Sequence, residues 1–420
     1  MSDVLSDLQW RGLVAQTTDV DALRAALNAG PVTYYVGFDP TAQSLHVGHM
    51  VQLLNMRRLQ QAGHRPLALV GGATGLIGDP RPTTERTMHS REVIAGWVER
   101  IRAQIEPFLE FDGPNAAVMV NNLDWTAPLS AIDFLRDVGK HFRMGTMLSK
   151  DIVARRLNSD EGLSFTEFSY QILQGMDFRE LFVRHGCTLQ MGGSDQWGNL
   201  LSGVELIRKC EGAAVHALST TLITKADGSK MGKSEGGALW LDPEMTSPYA
   251  FYQYWLNTAD TDVVHYLKVF TFRTRDEIEA LEVEVAERPF ARVAQRALAD
   301  DLTSLVHGSA ATEAVVLASQ ALFGRGELRD LNVSTLAGAV AELPRVEARS
   351  GGEVVDALVA TELVASRGEA RRAIAQGGVY VNNVKVSDDD ALFADADFLG
   401  GRYALLRRGK KTLAVAERLN

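Results

Sequence analysis

The chain has 420 residues and a formal net charge of −10, with 46% hydrophobic and 23% charged residues. This composition is ordinary for a globular protein of two or three domains, and the acidic balance argues against a protein that coats nucleic acid. Because no apolar run reaches about eighteen residues and the N-terminus is acidic, we expect neither a membrane span nor a signal peptide. Cys187 and Cys210 lack disulfide or metal spacing, which favours a reducing, cytoplasmic location.

Strands and helices alternate over the first part of the chain. A helical segment at 1–30 precedes a predicted strand at Val32–Phe38. Continuous apolar runs, typical of strands buried on both faces of a parallel sheet, follow at 66–72, 116–122 and 187–193, with a weaker one at 218–224. Helical stretches lie between these runs, so the pattern predicts an α/β fold.

The pattern changes near residue 247. Residues 247–340 show helical periodicity without buried-strand runs, and the Pro-, Gly- and charge-rich stretch 341–351 is interpreted as a linker. Residues 352–420 predict a small α/β unit with a basic helix capped by Ser366 and a hairpin around Asn382-Asn383. This last unit has ten basic and ten acidic residues, so residues 1–351 carry the whole negative charge.

The stretch from Val32 to Met50 combines a strand, a turn and the start of a helix. It ends in HVGH, which places His46 and His49 at the beginning of that helix. A helix N-terminus favours anions, and imidazole N–H groups there can bind phosphate oxygens. Taken alone, the two histidines are also consistent with a capping or core role, or with part of a metal site.

A second segment of possible phosphate-binding character is KMGKS, from Lys230 to Ser234. Glycine and small polar residues surround its two lysines, and its terminal hydroxyl can also bind phosphate. It lacks the spacing of a P-loop. By itself this segment is equally typical of a solvated basic loop.

Three further segments contribute polar side chains. In SFTEFSYQILQGMDF, Tyr170, Gln174 and Asp177 follow one another at i, i+4 and i+7 and share a helix face. Such a face is often exposed to solvent, but it also suits the wall of a pocket. Asp79 follows the second strand and Asp195 the fourth, where turn and helix-capping roles are the alternative interpretations.

Together these segments resemble the tyrosyl-tRNA synthetases. HVGH and KMGKS are similar to the HIGH and KMSKS motifs of class I aminoacyl-tRNA synthetases, and the tyrosyl family is indicated by YYVGFDPTAQSLHVGH, ALVGGATGLIGDP, SFTEFSYQILQGMDF, QMGGSDQWGN and LITKADGSKMGKS. The resemblance covers essentially the whole chain. It implies a Rossmann-like parallel-sheet catalytic domain over 1–246, an α-helical anticodon-side domain over 247–340, and a small RNA-binding domain over 352–420.

The resemblance implies a tyrosine–tRNA ligase. The carboxylate of tyrosine would attack the α-phosphorus of ATP, giving tyrosyl-adenylate and pyrophosphate, and the tyrosyl group would pass to the terminal adenosine of tRNA(Tyr). Because that carboxylate is already ionised at neutral pH, we expect the site to stabilise developing charge rather than to transfer protons. The residues assigned to this task are Thr41, His46, His49, Lys230, Lys233 and Ser234. Mg²⁺ is expected to accompany ATP, with no protein metal site and no prosthetic group.

The resemblance also assigns the substrate contacts. Tyr35 and Asp177 would hydrogen-bond the phenolic hydroxyl of tyrosine, and Tyr170 and Gln174 would hold its ammonium group. The full set implied for tyrosine is Tyr35, Asp79, Tyr170, Gln174, Asp177 and Gln196. The set implied for ATP is Gly37, Asp39, Gly48, Gly192, Asp195 and Lys233.

The C-terminal unit resembles the small RNA-binding domain named after a protein of the small ribosomal subunit. Its basic residues cluster on one helix and on the final strand, which suits contacts with tRNA phosphates, although a solvated surface is the other interpretation. The residues implied are Arg367, Arg371, Arg372, Arg407, Arg408 and Lys410. A homodimer is expected from the resemblance alone.

Three positions depart from the family pattern. The loop after Asp79 lacks a lysine that many relatives carry, for which Arg81 or Arg86 would have to substitute. Met176 stands where an aromatic residue is common, and Ser234 where threonine is common.

Two other functions remain open at this point. A tryptophanyl relative would share the motifs, but it should not need the Tyr35 and Asp177 pair and typically lacks the C-terminal domain. A non-catalytic RNA-binding protein would be expected to carry damaged motifs, whereas HVGH and KMGKS are intact.

Overall fold

The structure is a computed structural model that describes residues 3–80, 88–159, 162–225, 228, 231, 233–234, 237–322, 326–341, 343–409 and 412–418. The chain forms two compact units, Met1–Met245 with Ala259–Pro289 and Thr246–Thr258 with Phe290–Asn420. The helical stretch predicted at 247–340 therefore contributes to both units, and the domain boundaries given above stay a prediction.

The first unit contains a six-stranded sheet that confirms the predicted α/β fold. Its strands are β1 (Gln16–Thr17), β2 (Thr33–Phe38), β3 (Arg65–Val70), β4 (Val118–Asn121), β5 (Cys187–Gly193) and β6 (His216–Thr220), in the order β1-β6-β5-β2-β3-β4. Strands β2 to β6 are parallel, and only β1 pairs antiparallel. The prediction that the last parallel strand extends to residue 224 is wrong, because β6 ends at Thr220, where its pairing with Gly193 of β5 stops.

The strand order creates a crevice beside β2. The chain continues from β2 to β3 and β4 on one side, whereas β5 and β6 lie on the other side. In doubly wound sheets, ligands bind at such a switch point, outside the carboxyl ends of the strands. Asp39 directly follows β2, and Asp195 follows β5. The topology therefore brings two of the predicted site segments to one edge of the sheet.

Helices of the first unit surround this sheet. They are α1 (Val4–Trp10), α2 (Val20–Ala29), α3 (Val47–Gln61), α4 (Thr74–Ile77), α5 (Arg91–Ile105), α6 (Leu123–Thr126), α7 (Ala131–Asp133), α8 (Met144–Leu148), α9 (Asp151–Leu157), α10 (Phe165–His185), α11 (Trp197–Glu211), and, after the excursion into the other unit, α13 (Asp260–Phe270) and α14 (Arg275–Glu287). None of the helices among the residues described is long and apolar enough to cross a membrane.

Helix α10 carries the polar face predicted from SFTEFSYQILQGMDF. Its first turn is capped by the Ser164 side chain, which accepts a hydrogen bond from the Glu167 N–H, and it ends at Gly186 with a φ of +63°. Phe168 and Met176 of α10 lie in the same buried apolar cluster as Tyr35 of β2. This packing holds the polar face of α10 against the sheet.

The second unit combines helices with a small sheet. Its helices are α12 (Pro248–Leu256), α15 (Val293–His307), α16 (Ser309–Leu322), α17 (Val333–Val340), α18 (Val354–Ala360) and α19 (Arg367–Ala375). Its sheet is β9 (Arg345–Ala348), β10 (Val379–Val381), β11 (Val384–Lys385), β12 (Tyr403–Arg408) and β13 (Thr412–Arg418), in the order β11-β10-β12-β13-β9. The two remaining short strands, β7 (Lys233–Ser234) and β8 (Gly237–Ala238), belong to the first unit.

The C-terminal elements follow the sequence patterns closely, with one addition. Asn382 and Asn383 have positive φ angles of 49° and 67° and connect β10 to β11, so the predicted hairpin is confirmed. Helix α19 is capped by Ser366, as predicted. The addition is β9, which lies inside the stretch interpreted as a linker and pairs in parallel with β13.

Candidate functional site

A buried hydrogen-bond cluster at one end of the candidate site is built around the carboxylate of Asp177 on α10. Asn122 Nδ2 donates to one carboxylate oxygen at 3.0 Å, and Trp125 Nε1 donates to the other at 2.8 Å. The side chain is buried, and burial raises the pKa of this carboxyl to about 7. Asp177 is therefore held in one orientation by two donors at the start of α6 before any ligand arrives.

Tyr35 of β2 supplies a buried hydroxyl at the same end. Its residue is 2% exposed, and its ring lies 5.4 Å from that of Phe178, between centroids. Burial and the Asp177 charge raise the pKa of this hydroxyl well above its ordinary value, so it stays protonated. The hydroxyl has no hydrogen-bond partner within the part of the chain described. A buried donor of this kind is costly unless a ligand satisfies it.

Asn122 connects this end to the turn after β3. Its Oδ1 accepts from the Ala73 N–H at 2.7 Å, and its Nδ2 also donates to Thr74 Oγ1 at 2.9 Å. Thr74 Oγ1 in turn donates to Asp39 Oδ1 at 2.6 Å. One continuous hydrogen-bond network thus runs from the end of β4 to the end of β2.

Tyr170 lies further along this network. Its hydroxyl donates to Asp39 Oδ2 at 2.7 Å, which fixes the ring orientation. Asp39, predicted to contact ATP, is thus bonded on both oxygens and orients Tyr170. A methyl group added at Gly71 would lie 2.1 Å from Asp39 Oδ1, so glycine is needed there for the carboxylate to fit.

Asp79 and Gln196 are brought together with a residue that the sequence did not single out. Gln196 Nε2 donates to Asp79 Oδ2 at 2.8 Å, and Asn199 Nδ2 donates to Asp79 Oδ1 at 3.1 Å and to Gln196 Oε1 at 3.0 Å. The three side chains form a closed ring of hydrogen bonds. Nearby, Lys150 Nζ donates to the Gly198 carbonyl at 2.7 Å, and burial lowers the pKa of this amine to about 8.

The other predicted pocket residues lie around the crevice. Gln174 Oε1 is buried and has no hydrogen-bond partner among the residues described. Asp195 lies close against β5, because a methyl group added at Gly193 would be 2.4 Å from its Oδ1. Gly192 lies on β5 and Gly37 on β2, where Gly37 is exposed.

HVGH forms the first turn of α3. His46 is the N-cap residue: its Nδ1 accepts from the Gly48 N–H at 3.0 Å, and His49 Nδ1 accepts from the His46 N–H at 3.2 Å. Burial lowers the pKa of His46, and burial together with His46 lowers the pKa of His49 to about 3. Both imidazoles are therefore neutral at pH 7, with the proton on Nε2, so each presents one N–H donor.

Several predicted nucleotide contacts are only partly described. Thr41 is exposed, and its N–H donates to the Asp39 carbonyl at 2.8 Å. The backbone of Lys233 and Ser234 forms β7, while Lys230 and residues 81–87, including Arg81 and Arg86, lie outside the described residues. At Gly48, an added methyl group would lie 2.7 Å from His46 Cε1, so only glycine leaves space for that ring.

The basic residues of the C-terminal unit fall into two groups. Three of them pair with carboxylates of the same unit: Arg367 with Glu353 and Asp356, Arg371 with Asp390, and Arg408 with Glu369. Arg407 lies over the Tyr380 ring at 3.9 Å from the centroid, and Arg372 is exposed on α19. Lys410 is outside the part of the chain described.

Comparison with known proteins identifies the family. The model of class I tRNA synthetases for tryptophan and tyrosine matches residues 27–324, and the model of a tyrosine–tRNA ligase C-terminal domain matches residues 335–416. A tyrosine–tRNA ligase of Streptomyces coelicolor is 64% identical over 418 residues, which cover 99% of each chain. The chain belongs to the tyrosyl-tRNA synthetases.

Solved structures of this family agree with the fold. A C-terminally truncated mitochondrial tyrosyl-tRNA synthetase of Coccidioides posadasii is 34% identical, with a TM-score of 0.67 over 75% of this chain and 91% of that one. The corresponding enzyme of Aspergillus nidulans gives 31% identity and a TM-score of 0.70 over 77% and 95%. The first family model covers tryptophanyl enzymes as well, so the C-terminal model and the highly similar ligases distinguish the tyrosyl family.

Sequence reasoning missed four residues that orient the predicted ones. Trp125 and Thr74 support Asp177 and Asp39, and Asn199 and Lys150 support Asp79 and the start of α11. Asn199 is the last residue of the segment QMGGSDQWGN, so its place in that family segment could have indicated a role beside Gln196. Trp125 lies just after the third predicted strand, where a polar-ended aromatic side chain can reach the crevice.

Proposed function

We propose that the crevice beside β2 binds L-tyrosine and that HVGH and KMGKS bind ATP next to it, so that the chain acts as a tyrosine–tRNA ligase. The observation that carries this proposal is the pairing of a buried, unpartnered Tyr35 hydroxyl with the preoriented Asp177 carboxylate. A phenol placed between them can donate to Asp177 and accept from Tyr35. Phenylalanine would leave the Tyr35 hydroxyl without a partner and could not donate to Asp177, so it should bind less favourably.

We propose that the other end of the pocket holds the ammonium group of tyrosine. Tyr170 is fixed by Asp39, and Gln174 presents a buried amide oxygen without a partner in the described part of the chain. Asp79 supplies the negative charge, held in place by Gln196 and Asn199. The carboxylate of the substrate then faces the open side of the crevice, towards the nucleotide.

We propose that the nucleotide side acts by electrostatic stabilisation. His46 and His49 are neutral, and each presents one N–H donor. Fixed donors aimed at the phosphates stabilise the charge that builds up when the tyrosine carboxylate attacks the α-phosphorus. Lys230, Lys233 and Ser234 would contact the leaving pyrophosphate. Mg²⁺ would enter bound to the ATP phosphates, where it keeps several water ligands.

We propose that the second unit binds tRNA(Tyr) and that two copies of the chain form a dimer. Charging of tRNA would place the protein in the cytoplasm. Dimerisation is supported by large apolar side chains that are exposed on the stretch between residues 132 and 165 of the first unit: Ile132, Leu135, Met144, Leu157 and Phe165. Light scattering at micromolar concentration should give twice the chain mass, and a mass of one chain would contradict the dimer.

The experiment that tests the activity is ATP–pyrophosphate exchange with each of the twenty amino acids. We expect exchange with tyrosine alone, and subsequent transfer to tRNA(Tyr). Exchange that depends on tryptophan, or no exchange with any amino acid, would contradict the proposed function.

A further inference from the structure

The two phosphate-binding motifs are joined by a short antiparallel bridge. Backbone hydrogen bonds of 3.0 and 2.9 Å connect residues 45–47 with residues 239–241, and His46 and Trp240 are direct partners in this bridge. One strand of the bridge leads into HVGH, and the other comes from KMGKS. The segment that follows KMGKS is therefore hydrogen-bonded through its backbone to the start of HVGH.

The path from KMGKS to the bridge is very short. Lys233 in β7 pairs with Ala238 in β8, and Leu239 follows β8 directly and accepts the hydrogen bond from the Val47 N–H. The backbone position of the second lysine in KMGKS is thus set by a hairpin whose outgoing strand ends on the HVGH turn. The hairpin therefore links the backbone of this lysine to the HVGH turn.

Trp240 adds a ring to this connection. Its ring meets the His46 ring edge-on, with centroids 5.9 Å apart and an interplanar angle of 61°. His46 also stacks on His49, with ring centroids 4.0 Å apart. The His46 ring therefore contacts two other rings. Because the His46 Nδ1 is already bonded to the Gly48 N–H, the tilt of this ring determines where its Nε2–H points.

The backbone of the bridge has its own supports. Leu45 N–H donates to Gln104 Oε1 at 2.8 Å, and the Asp242 N–H donates to Ser44 Oγ at 3.2 Å. These contacts remain when the indole of Trp240 is removed. A substitution at Trp240 therefore removes the ring contact with His46 while leaving the backbone of the loop anchored.

We propose that Trp240 is a positioning residue, whose ring sets the orientation of the His46 ring. This inference rests on the proposed function of the two motifs in binding ATP. Its effect belongs to the transition state, because a displacement of about 1 Å in a phosphate-stabilising group can lower the rate about 10²-fold. The affinity for tyrosine, which binds at the other end of the crevice, should not change.

The test compares Trp240→Leu, which keeps apolar volume, with Trp240→Phe, which keeps an aromatic ring. In tyrosine-dependent pyrophosphate exchange, we expect Trp240→Leu to lower kcat about 10- to 10²-fold, with the KM for tyrosine unchanged, and Trp240→Phe to restore most of the rate. Trp97→Leu is the matched control, since Trp97 is another half-buried tryptophan that meets a histidine, His89, edge-on at 4.7 Å. We expect it to keep the wild-type kcat.

A double-mutant cycle with His46→Ala shows whether Trp240 acts through His46. If it does, the variant that combines His46→Ala with Trp240→Leu should have the kcat of His46→Ala alone. Additive losses, equal losses in Trp240→Leu and Trp240→Phe, or a wild-type kcat in Trp240→Leu would each overturn the inference. Wild-type protein without tyrosine-dependent exchange would instead contradict the proposed function, so the two failures are distinguishable.

Discussion

The phenol end of the pocket and the basic face of the C-terminal unit both depend on charged side chains, but in opposite surroundings. Asp177 is 2% exposed, and donors from Asn122, at the start of α6, and from Trp125 in α6 hold both of its oxygens. Arg367 lies at the surface and pairs with Glu353 and Asp356, whose side chains are exposed too. A buried carboxylate such as Asp177 loses free energy of interaction when any of its hydrogen-bond partners is removed. Exposed ion pairs contribute little to stability and are screened by salt.

This difference indicates how each region recognises its ligand. The pocket is preorganised, so the substrate only has to satisfy groups that already point at it. The C-terminal arginines must exchange acidic partners for RNA phosphates, so their contribution depends on ionic strength. Substitutions should therefore have large, salt-independent effects in the pocket and small, salt-dependent effects in the C-terminal unit.

The largest effect is expected from Asp177→Ala. Removing the carboxylate leaves Trp125 without its acceptor and Asn122 with one acceptor fewer. It also deprives the phenol of its partner, so kcat/KM for tyrosine in pyrophosphate exchange should fall about 10²-fold or more. Glu180→Gln is the control, because Glu180 lies one turn further along α10, is only half-buried and pairs with Arg184. Near wild-type exchange by Asp177→Ala would remove Asp177 from the pocket.

The pH dependence of stability should also reveal this buried carboxyl. Its pKa is about 7 in the folded chain and 3.8 in the free residue, so the folded state retains a proton that the unfolded chain releases. The resulting stabilisation is complete below about pH 4 and is lost as the pH rises through about 7. Asp177→Asn does not titrate. Relative to that variant, the wild-type free energy of unfolding should fall by up to about 4 kcal/mol between pH 4 and pH 8, and a constant difference would contradict the raised pKa.

A smaller effect is expected from Gln171, a second buried amide on α10. It is 4% exposed, and neither its Nε2 nor its Oε1 has a hydrogen-bond partner in the described part of the chain. Gln171→Leu should therefore raise the free energy of unfolding by about 1–2 kcal/mol and leave exchange unchanged. Gln174→Leu, one turn away, should instead raise the KM for tyrosine. Equal kinetic effects of the two variants would contradict the assignment of Gln174 to the pocket.

The smallest effects are expected in the C-terminal unit. Arg372 makes no ion pair among the residues that the structure describes, so Arg372→Ala should raise the KM for tRNA. In a plot of log KM for tRNA against log salt concentration, the variant should have a slope smaller by about 1 than the wild type. Pyrophosphate exchange, which needs no tRNA, should be unchanged. Arg367→Ala should have a smaller effect, because Glu353 and Asp356 already neutralise that guanidinium. A wild-type KM for tRNA in Arg372→Ala would exclude it from the RNA contact.

The sequence predicted the parts of the molecule whose signal is local. The parallel strands, helix α10, the Ser366 cap of α19, the Asn382-Asn383 hairpin and the fold class were visible in short runs of residues. The residues that support the site were not visible in this way, because they meet across the chain: Trp125 and Asp177 are 52 positions apart, and Asn199 and Asp79 are 120 apart. Short strands such as β1 and β9 were also missed, since two to four residues carry no periodicity.

The central claim is that Tyr35 and Asp177 recognise the phenolic hydroxyl of the substrate by hydrogen bonds. The most direct measurement is the ratio of kcat/KM for tyrosine to that for phenylalanine in pyrophosphate exchange, for the wild type and for Tyr35→Phe. We expect the ratio to fall by about tenfold or more in Tyr35→Phe, because the substrate hydroxyl loses one of its two buried partners. A ratio equal to that of the wild type would contradict the claim.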